Sequence, residues 1–213
     1  MFVTMKQKIA AAFAGYLLIG TASGLFVYSG LGADCFNSFV KGVAPWLHLA
    51  VGTSSYVVQV VMLAAVLLLG GRKQAGPGTV LGSLVVMVIV NLFGSVFAPF
   101  LLTMPLAGRV AMVLLAAPLS GFGLALIQCS GLGSTANDIL PILFSERLPK
   151  LQFRTVRVLY DCTELLAGMA LGILPGFTTL CAALLIGPSI QASMWLLERP
   201  MRMKHKKLAN RLH

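Results

Sequence analysis

Residues 155–172 read Thr-Val-Arg-Val-Leu-Tyr-Asp-Cys-Thr-Glu-Leu-Leu-Ala-Gly-Met-Ala-Leu-Gly and place charged side chains inside an apolar segment. At about 100° per residue, Arg157, Asp161, Glu164 and Gly168 share one narrow face of a helix. A helix that enters a membrane near residue 155 carries Glu164 roughly 13 Å deep, close to the middle of a hydrocarbon core about 30 Å thick. Because an ionised group there costs about 2.5–3.5 kcal/mol, we expect this face to point into a bundle or a wet cavity.

The composition supports a membrane setting for the whole chain. Of its 213 residues, 58% are hydrophobic and only 10% are charged, whereas soluble domains carry about 25% charged residues. Apolar runs predict an all-α protein with six transmembrane helices, at about 9–29, 55–70, 79–102, 110–129, 155–173 and 177–197. A secretory signal peptide is the alternative for the first run, which is longer than a typical signal.

Two intervening segments, 30–54 and 130–154, mix apolar and polar residues at helical spacing. Each predicts a short interfacial or re-entrant helix, after the first and the fourth transmembrane helix. If the N-terminus is cytoplasmic, only Lys41 and Arg109 of the 16 basic residues lie outside. The positive-inside rule therefore predicts that both termini are cytoplasmic. The charge of +10 then reflects topology, not nucleic-acid binding, and the basic tail at 199–213 is expected to contact anionic lipid.

The chain also repeats itself. Residues 29–32, Ser-Gly-Leu-Gly, recur at 130–133, and an offset of 100 pairs Asn91 with Gln191. We predict a first three-helix repeat at 1–105 and a second at 106–198. Because each repeat has an odd number of spans, the second enters the membrane from the opposite side, as in many secondary transporters. The alternative is that two apolar hairpins are alike only in hydropathy.

The second half resembles the YczE/YitT class of small bacterial membrane proteins. The resemblance rests on Gly-Leu-Gly at 131–133 followed by Asp138, on Val-Arg at 156–157 followed by Asp161, and on the segments at 165–168, 176–179 and 183–188. It implies several helices in a bacterial inner (plasma) membrane and defines no activity. Asn37 departs from the pattern where the first half would carry an acid, and Thr178 where a glycine is usual.

The acids of the fifth predicted helix are the main candidates for a site. Asp161 and Glu164 lie one turn apart, and two carboxylates in a low dielectric cannot both ionise cheaply, so one can carry a proton. The alternative is structural: Arg157 neutralises Asp161 at i, i+4, and Glu164 is protonated or bonded to a neighbouring helix.

Four further polar residues are candidates for binding substrate or protons. Asp138 and Asn37 stand at corresponding positions in the two short helices, as gates or substrate contacts, with helix capping as the alternative. Asn91 and Gln191 are intramembrane amides that could contact a ligand or bond neighbouring helices.

The leading hypothesis is a transporter of a small solute or ion, with proton coupling and a polar site between the repeats. A non-transporting membrane factor that supports a partner protein, and a channel, are the alternatives. We expect no enzymatic activity, cofactor or metal, because no nucleophile–base pair, ligand spacing or dinucleotide motif occurs. A bundle this small is expected to form a homo-oligomer, with Gly20, Gly24, Gly121 and Gly123 as packing surfaces.

Overall fold

Helices account for almost all of the chain in the computed structural model. It describes residues 4–209, with the side chains of Arg154 and of residues 198–209 excepted, and this range contains no strand. The α-helices are α1 (Met5–Tyr28), α2 (Cys35–Leu47), α3 (Val51–Leu68), α4 (Pro77–Leu92), α5 (Ala98–Thr103), α6 (Leu106–Ser130), α7 (Ala136–Arg147), α8 (Phe153–Ala170) and α9 (Phe177–Ala209). The fold is therefore all-α over the described residues.

Five helical segments are long and apolar enough to cross a membrane, which makes this a multi-pass membrane protein. They are Met5–Tyr28, Val51–Leu68, Pro77–Thr103, Leu106–Ser130 and Phe177–Leu197. The sixth predicted span corresponds to α8, which forms as predicted but has four charged residues among its 18 and is not one of the five. The segment predicted as a separate tail after residue 198 continues the backbone of α9 to Ala209, and residues 210–213 lie outside the described range.

The span Pro77–Thr103 contains a π-helical turn, Phe93–Phe97, which joins α4 to α5. Pro99 explains this turn. Its nitrogen carries no hydrogen to donate to the Ser95 carbonyl, and its ring clashes with that carbonyl in a regular α-helix. The turn widens, and the Ala98 amide donates to the Phe93 carbonyl, five residues back. The Ser95 hydroxyl lies within hydrogen-bond distance of the Asn91 and Leu92 carbonyls, at 3.1 and 3.2 Å.

Helices α1 and α6 cross at the centre of the protein, where small residues allow close approach. A Cβ added to Gly123 would lie 2.8 Å from the Gly15 carbonyl oxygen, so no side chain fits between the two helices. Around this crossing, Ala22, Phe26 and Ala116 are buried in a core that α9 completes. Because α1 is part of this core, it is a structural helix of the fold, as the repeat pattern required.

The four glycines predicted to mediate oligomerisation instead pack within the chain. Gly20 and Gly24 of α1 face Ile89 and Phe93 of the Pro77–Thr103 span. Gly121 and Gly123 of α6 lie against α9 and α1, respectively. All four are buried, so the prediction that they form an intersubunit surface is wrong. The sequence showed that close packing was needed, but not between which helices.

The two Ser-Gly-Leu-Gly loops have nearly the same backbone. Gly30 and Gly131 have φ of 72° and 68°, and Gly32 and Gly133 have φ of 108° and 104°. The Leu31 carbonyl accepts a hydrogen bond of 3.0 Å from the first turn of α9, and the Leu132 carbonyl accepts one of the same length from the first turn of α4. Each loop therefore holds the start of a helix from the other half of the chain.

The two short helices lie beside long helices of the other half. Helix α2 packs along α8, and α7 packs against α3 and α8. Gln59 of α3 accepts a hydrogen bond of 3.1 Å from the Ala136 amide, at the start of α7. The Gln59 side chain therefore joins α3 to α7. The polar face of α8 lies between α2 and α7.

Candidate functional site

The inward face of α8 is the polar face that the sequence predicts. Glu164 is 5% exposed and Gly168 is buried. The opposite face exposes apolar side chains, with Val158, Leu159 and Leu166 each more than half exposed. Helix α8 is therefore amphipathic, with Glu164 on its inward face and several apolar side chains exposed on the other.

Close backbone packing brings the start of α2 to this face. A Cβ added to Gly168 would lie 2.9 Å from the Ser38 carbonyl carbon, and one added to Gly42 would lie 2.6 Å from the Leu171 Cβ atom. Both glycines therefore allow α2 and α8 to approach. As a result, Asp34, just before α2, is close enough to Glu164 for their charges to interact.

Arg157 connects two acids from different helices. Its Nη1 atom lies 3.0 Å from Asp138 Oδ1 of α7, and its Nε atom lies 3.1 Å from Asp161 Oδ1, one turn along α8. The three side chains are between 13% and 34% exposed, so the cluster is neither fully buried nor freely solvated. The predicted pairing of Arg157 with Asp161 is confirmed, and the bridge to Asp138 joins α7 to α8.

Asp138 lies at the start of α7, but it is not the capping residue. The N-cap is Thr135, and Asp138 stands in the first helical turn, where a negative charge suits the helix dipole. The Thr135 hydroxyl donates to Asp138 Oδ2 at 2.7 Å. The interpretation of Asp138 as the cap is therefore corrected: its carboxylate accepts from Thr135 on one oxygen and from Arg157 on the other.

Tyr160 belongs to this cluster although the helical wheel does not single it out. Its hydroxyl donates to Asn137 Oδ1 at 2.9 Å and lies 3.8 Å from the Met62 sulfur. The residue sits about 60° from Arg157 around α8, at the edge of the charged face. A wider polar sector that admitted aromatic hydroxyls would have included it.

Glu164 is the one member of the face whose charge is not matched by a direct bond. Neither carboxylate oxygen has a hydrogen-bond partner within the described residues. The nearby Tyr160 hydroxyl is directed to Asn137 instead, at 2.9 Å. A buried carboxylate without a partner is expensive to ionise. A proton, or a ligand that donates a hydrogen bond, would complete this group.

The remaining candidates occupy different environments. Asn37, 2% exposed on α2, donates from Nδ2 to Asp34 Oδ1 at 2.6 Å and therefore borders the cluster. Asn91 on α4 donates to the Thr53 hydroxyl of α3 at 2.8 Å, which is a bond between helices. Gln191 is exposed on α9. The structure thus brings Arg157, Asp138, Asp161, Glu164 and Asn37 together, and it places Asn91 and Gln191 elsewhere.

The described side chains of the cluster include more acids than bases. Within the described part of the chain, no group of three His, Cys, Asp or Glu side chains is arranged to hold a metal. Among the described side chains, Arg157 pairs with Asp138 and Asp161, and Glu164 lies on the same face of α8. This excess of negative charge can bind or exchange a positive charge.

Comparisons with known proteins identify a family but no activity. Residues 6–194 match a family described as a family of unknown function, DUF6198. An uncharacterized protein of Haemophilus influenzae is 26% identical over 209 residues, which cover 97% of this chain and 92% of the relative. No solved structure gives a significant match. The resemblance to the YczE/YitT class stays a prediction, since the matching family carries another name.

Proposed function

Since this chain belongs to the DUF6198 family, whose function is unknown, we propose from its geometry that it is a secondary transporter of a small solute or ion, coupled to protons, in the bacterial inner membrane. The observation that carries the proposal is the Glu164 carboxyl, 5% exposed and without a hydrogen-bond partner in the described structure. It belongs to α8 of the second half, which packs along α2 of the first half and against α7. Intramembrane acids in such positions mark ion and proton pathways.

The proposed architecture is six transmembrane helices in two inverted repeats. Reciprocal contacts support it: the carbonyl of Leu31 accepts from the Thr178 amide, and that of Leu132 accepts from the Gly78 amide, each at 3.0 Å. Exchanging the two halves converts one contact into the other. Two copies of one unit related by a pseudo-twofold axis produce such pairs, and an odd number of spans per copy inverts the second.

The proposal requires α8 to cross the membrane despite its charges. Its inward polar face and apolar outer face support this, because only the outer face would meet lipid. A crossing by α8 also leaves Lys41 and Arg109 as the only outside basic residues and puts both termini in the cytoplasm. Helices α2 and α7 then lie at opposite sides of the membrane, where they can serve as the two gates.

The coupling follows from the charge balance of the cluster. The single positive charge of Arg157 is shared by the carboxylates of Asp138 and Asp161, while the Glu164 carboxyl has no hydrogen-bond partner among the described residues. In the described conformation a proton is the simplest ligand for Glu164, because it removes the cost of a buried charge. A conformation that admits a cationic or polar solute would release that proton. The acid thus links solute binding to proton movement, while the protein binds and translocates without chemical conversion.

The test is proton flux in proteoliposomes that contain a trapped pH-sensitive dye, challenged with panels of amino acids, sugars and small ammonium cations. At least one solute is expected to move protons through the wild-type protein. Glu164→Gln should reduce that flux at least tenfold while leaving the midpoint of thermal denaturation, Tm, unchanged or higher. The amide keeps the shape of the side chain and removes the ionisable group that costs stability when buried.

The matched control is Glu146→Gln, an exposed acid on α7 whose carboxylate accepts from Gln74 at 3.2 Å. This variant should transport as the wild type does. Proton flux that survives in Glu164→Gln would refute the assigned role. If no solute drives flux and a partner protein co-purifies at fixed ratio, the supporting-factor hypothesis replaces the transporter, whereas flux without saturation would indicate a channel.

A further inference from the structure

A cavity lies apart from the α8 cluster, at the other end of α2. It is an open cavity of about 500 Å³, lined by the ends of α1, α2 and α4, the start of α3 and the π-helical turn. Its lining residues include Tyr28, Lys41, Pro45, Leu49, Asn91 and Ser95. All these segments belong to the first half of the chain. In the proposed orientation they lie on the outer side, so the cavity would open away from the cytoplasm.

Lys41 is the charged group of this cavity, and its charge has no counterpart there. The side chain is half-buried, and within the described residues no carboxylate lies within 4.0 Å of its ammonium group. The Lys41 Nζ atom donates a hydrogen bond of 3.3 Å to the Val27 carbonyl. Burial lowers the pKa of the Lys41 ammonium, which reflects the cost of removing it from water. An anion beside it would offset that cost.

The other residues that line the cavity indicate which kind of anion it could hold. The Tyr28 hydroxyl lies at the π-helical turn, where a Cβ added to Gly94 would meet it, and Ser95 contributes a second hydroxyl from the same turn. The remaining lining residues are mostly apolar and include Pro45 and Leu49. A few polar groups at one side of an apolar cavity are typical of sites for small organic ligands. π-Helical turns are also frequent at functional sites.

The second repeat lacks this arrangement, which argues against a purely architectural role for Lys41. At an offset of 101, Lys41 corresponds to Ile142 and Tyr28 to Cys129. The corresponding helix, α7, therefore packs with an apolar residue where α2 carries its ammonium. Since α7 packs without a cation at this position, the fold itself does not require Lys41 in α2. We therefore expect a role of Lys41 that is specific to the first half.

We propose that this cavity binds an amphiphilic anion, a carboxylate or phosphate head with a compact apolar body, and that Lys41 binds the head while the apolar wall receives the body. The head can belong to a dissolved organic acid or to a lipid. The site is independent of the proposed transport, since none of its lining residues belongs to the cluster around Arg157.

The test uses the full-length protein in nanodiscs of phosphatidylcholine, with benzoate as the anionic probe and benzamide as the neutral probe of the same shape. Benzoate should raise Tm in a saturable manner, and benzamide should not. Lys41→Met should weaken benzoate binding at least tenfold, because charge-assisted hydrogen bonds to the head are lost. Its own Tm should stay within a few degrees of the wild type, since a desolvated charge is also removed.

Two controls separate this role from simple folding effects. Lys73→Met, an exposed lysine in the loop after α3, should bind benzoate as the wild type does. Ser95→Trp keeps Lys41 but fills the cavity from an exposed position, and it should abolish binding. If Lys41→Met does not fold, two measurements still test the site: the loss of the benzoate-induced Tm shift in Ser95→Trp, and the difference between the Tm shifts caused by benzoate and benzamide in the wild type.

A lipid arm identifies the source of the anion. Nanodiscs with phosphatidylglycerol should suppress the benzoate response if a lipid head fills the site, and leave it unchanged if the ligand is dissolved. Either result depends on Lys41 and supports the site. Equal responses to benzoate and benzamide, or a benzoate response retained by Lys41→Met, would overturn the proposal, as would no response to benzoate or phosphatidylglycerol. These outcomes do not depend on proton flux, so they are distinct from a failure of the transport hypothesis.

Discussion

Arg157 has to satisfy two carboxylates at once, and this decides how the α8 cluster holds together. Asp161 is on the same helix, so its pairing with Arg157 at 3.1 Å adds little to the tertiary fold. Asp138 is on α7, and its pairing at 3.0 Å fixes one helix against another. Exposed ion pairs contribute about 0–1 kcal/mol, whereas breaking a buried one costs about 3–5 kcal/mol. With side chains that are 13–34% exposed, this cluster lies between those limits.

Replacing Arg157 by Met is therefore expected to destabilise the protein by about 1–3 kcal/mol, because two partly buried carboxylates lose their shared cation. At roughly 2–4 °C per kcal/mol, Tm should fall by several degrees. Neutralising both acids in the same chain, with Asp138→Asn and Asp161→Asn, should restore most of the loss. Arg72→Met, at an exposed position before α4, serves as the control. A Tm for Arg157→Met equal to that of the control would show that the bridge is not stabilising.

At the scale of elements, the helix starts are held by the loops of the opposite half. Gly76 and Gly176 precede the first residues of α4 and α9, respectively. The backbone amide of each glycine donates to the hydroxyl of the threonine three residues later, at 3.2 and 3.1 Å. The adjoining loops approach so closely that a Cβ on Gly133 would lie 2.7 Å from the Gly76 amide nitrogen. Since Gly133 also has a φ of 104°, both space and backbone conformation require glycine there.

Gly133→Ala should accordingly lower the stability by at least about 1–3 kcal/mol, the usual cost of holding a non-glycine residue in a rare backbone region. The displaced loop should also loosen the start of α4. Gly187→Ala is a matched control in α9, where nothing lies within 4 Å of the added Cβ. It should be neutral or stabilise by about 0.5–1 kcal/mol through helix propensity. Thermal denaturation in one detergent measures both, and equal effects would contradict the role given to the loop.

For the whole molecule, hydropathy and the Gly/Pro turns predict the long helices closely. The predicted spans 79–102 and 110–129 correspond to Pro77–Thr103 and Leu106–Ser130. The inward face of α8 is also predictable, because the cost of charge in lipid leaves few alternatives. Such arguments rest on the helix alone and its solvent, so they need no knowledge of which helices are neighbours.

The sequence does not predict which helices pack against each other. Asn91 and Gln191 correspond in the repeat, yet Asn91 reaches Thr53 and Gln191 is exposed. The reason is that α3 packs along α4, whereas α8 and α9 do not pack closely over the described residues. The same limit applies to the glycines of α1 and α6, whose partners are helices of the same chain. An offset between repeats relates backbone positions, but the environment of a side chain depends on how the helices pack.

The proposed topology depends on whether α8 crosses the membrane, because α8 is not among the five apolar spans. Labelling with a membrane-impermeant maleimide in intact cells tests this. Single cysteines are introduced at Lys73, Thr103, Lys150 and Leu174, all exposed positions near the ends of the long helices, after the native cysteines are changed to serine. Six spans with an inside N-terminus predict labelling at 103 and 174 only. Labelling at 73 and 150 should require permeabilised cells. Lys73 and Thr103 lie at opposite ends of a span that contains no charged residue, so they calibrate the assay. If 150 and 174 are labelled from the same side, α8 does not cross, the two halves are not inverted copies, and Glu164 cannot lie on a route through the membrane.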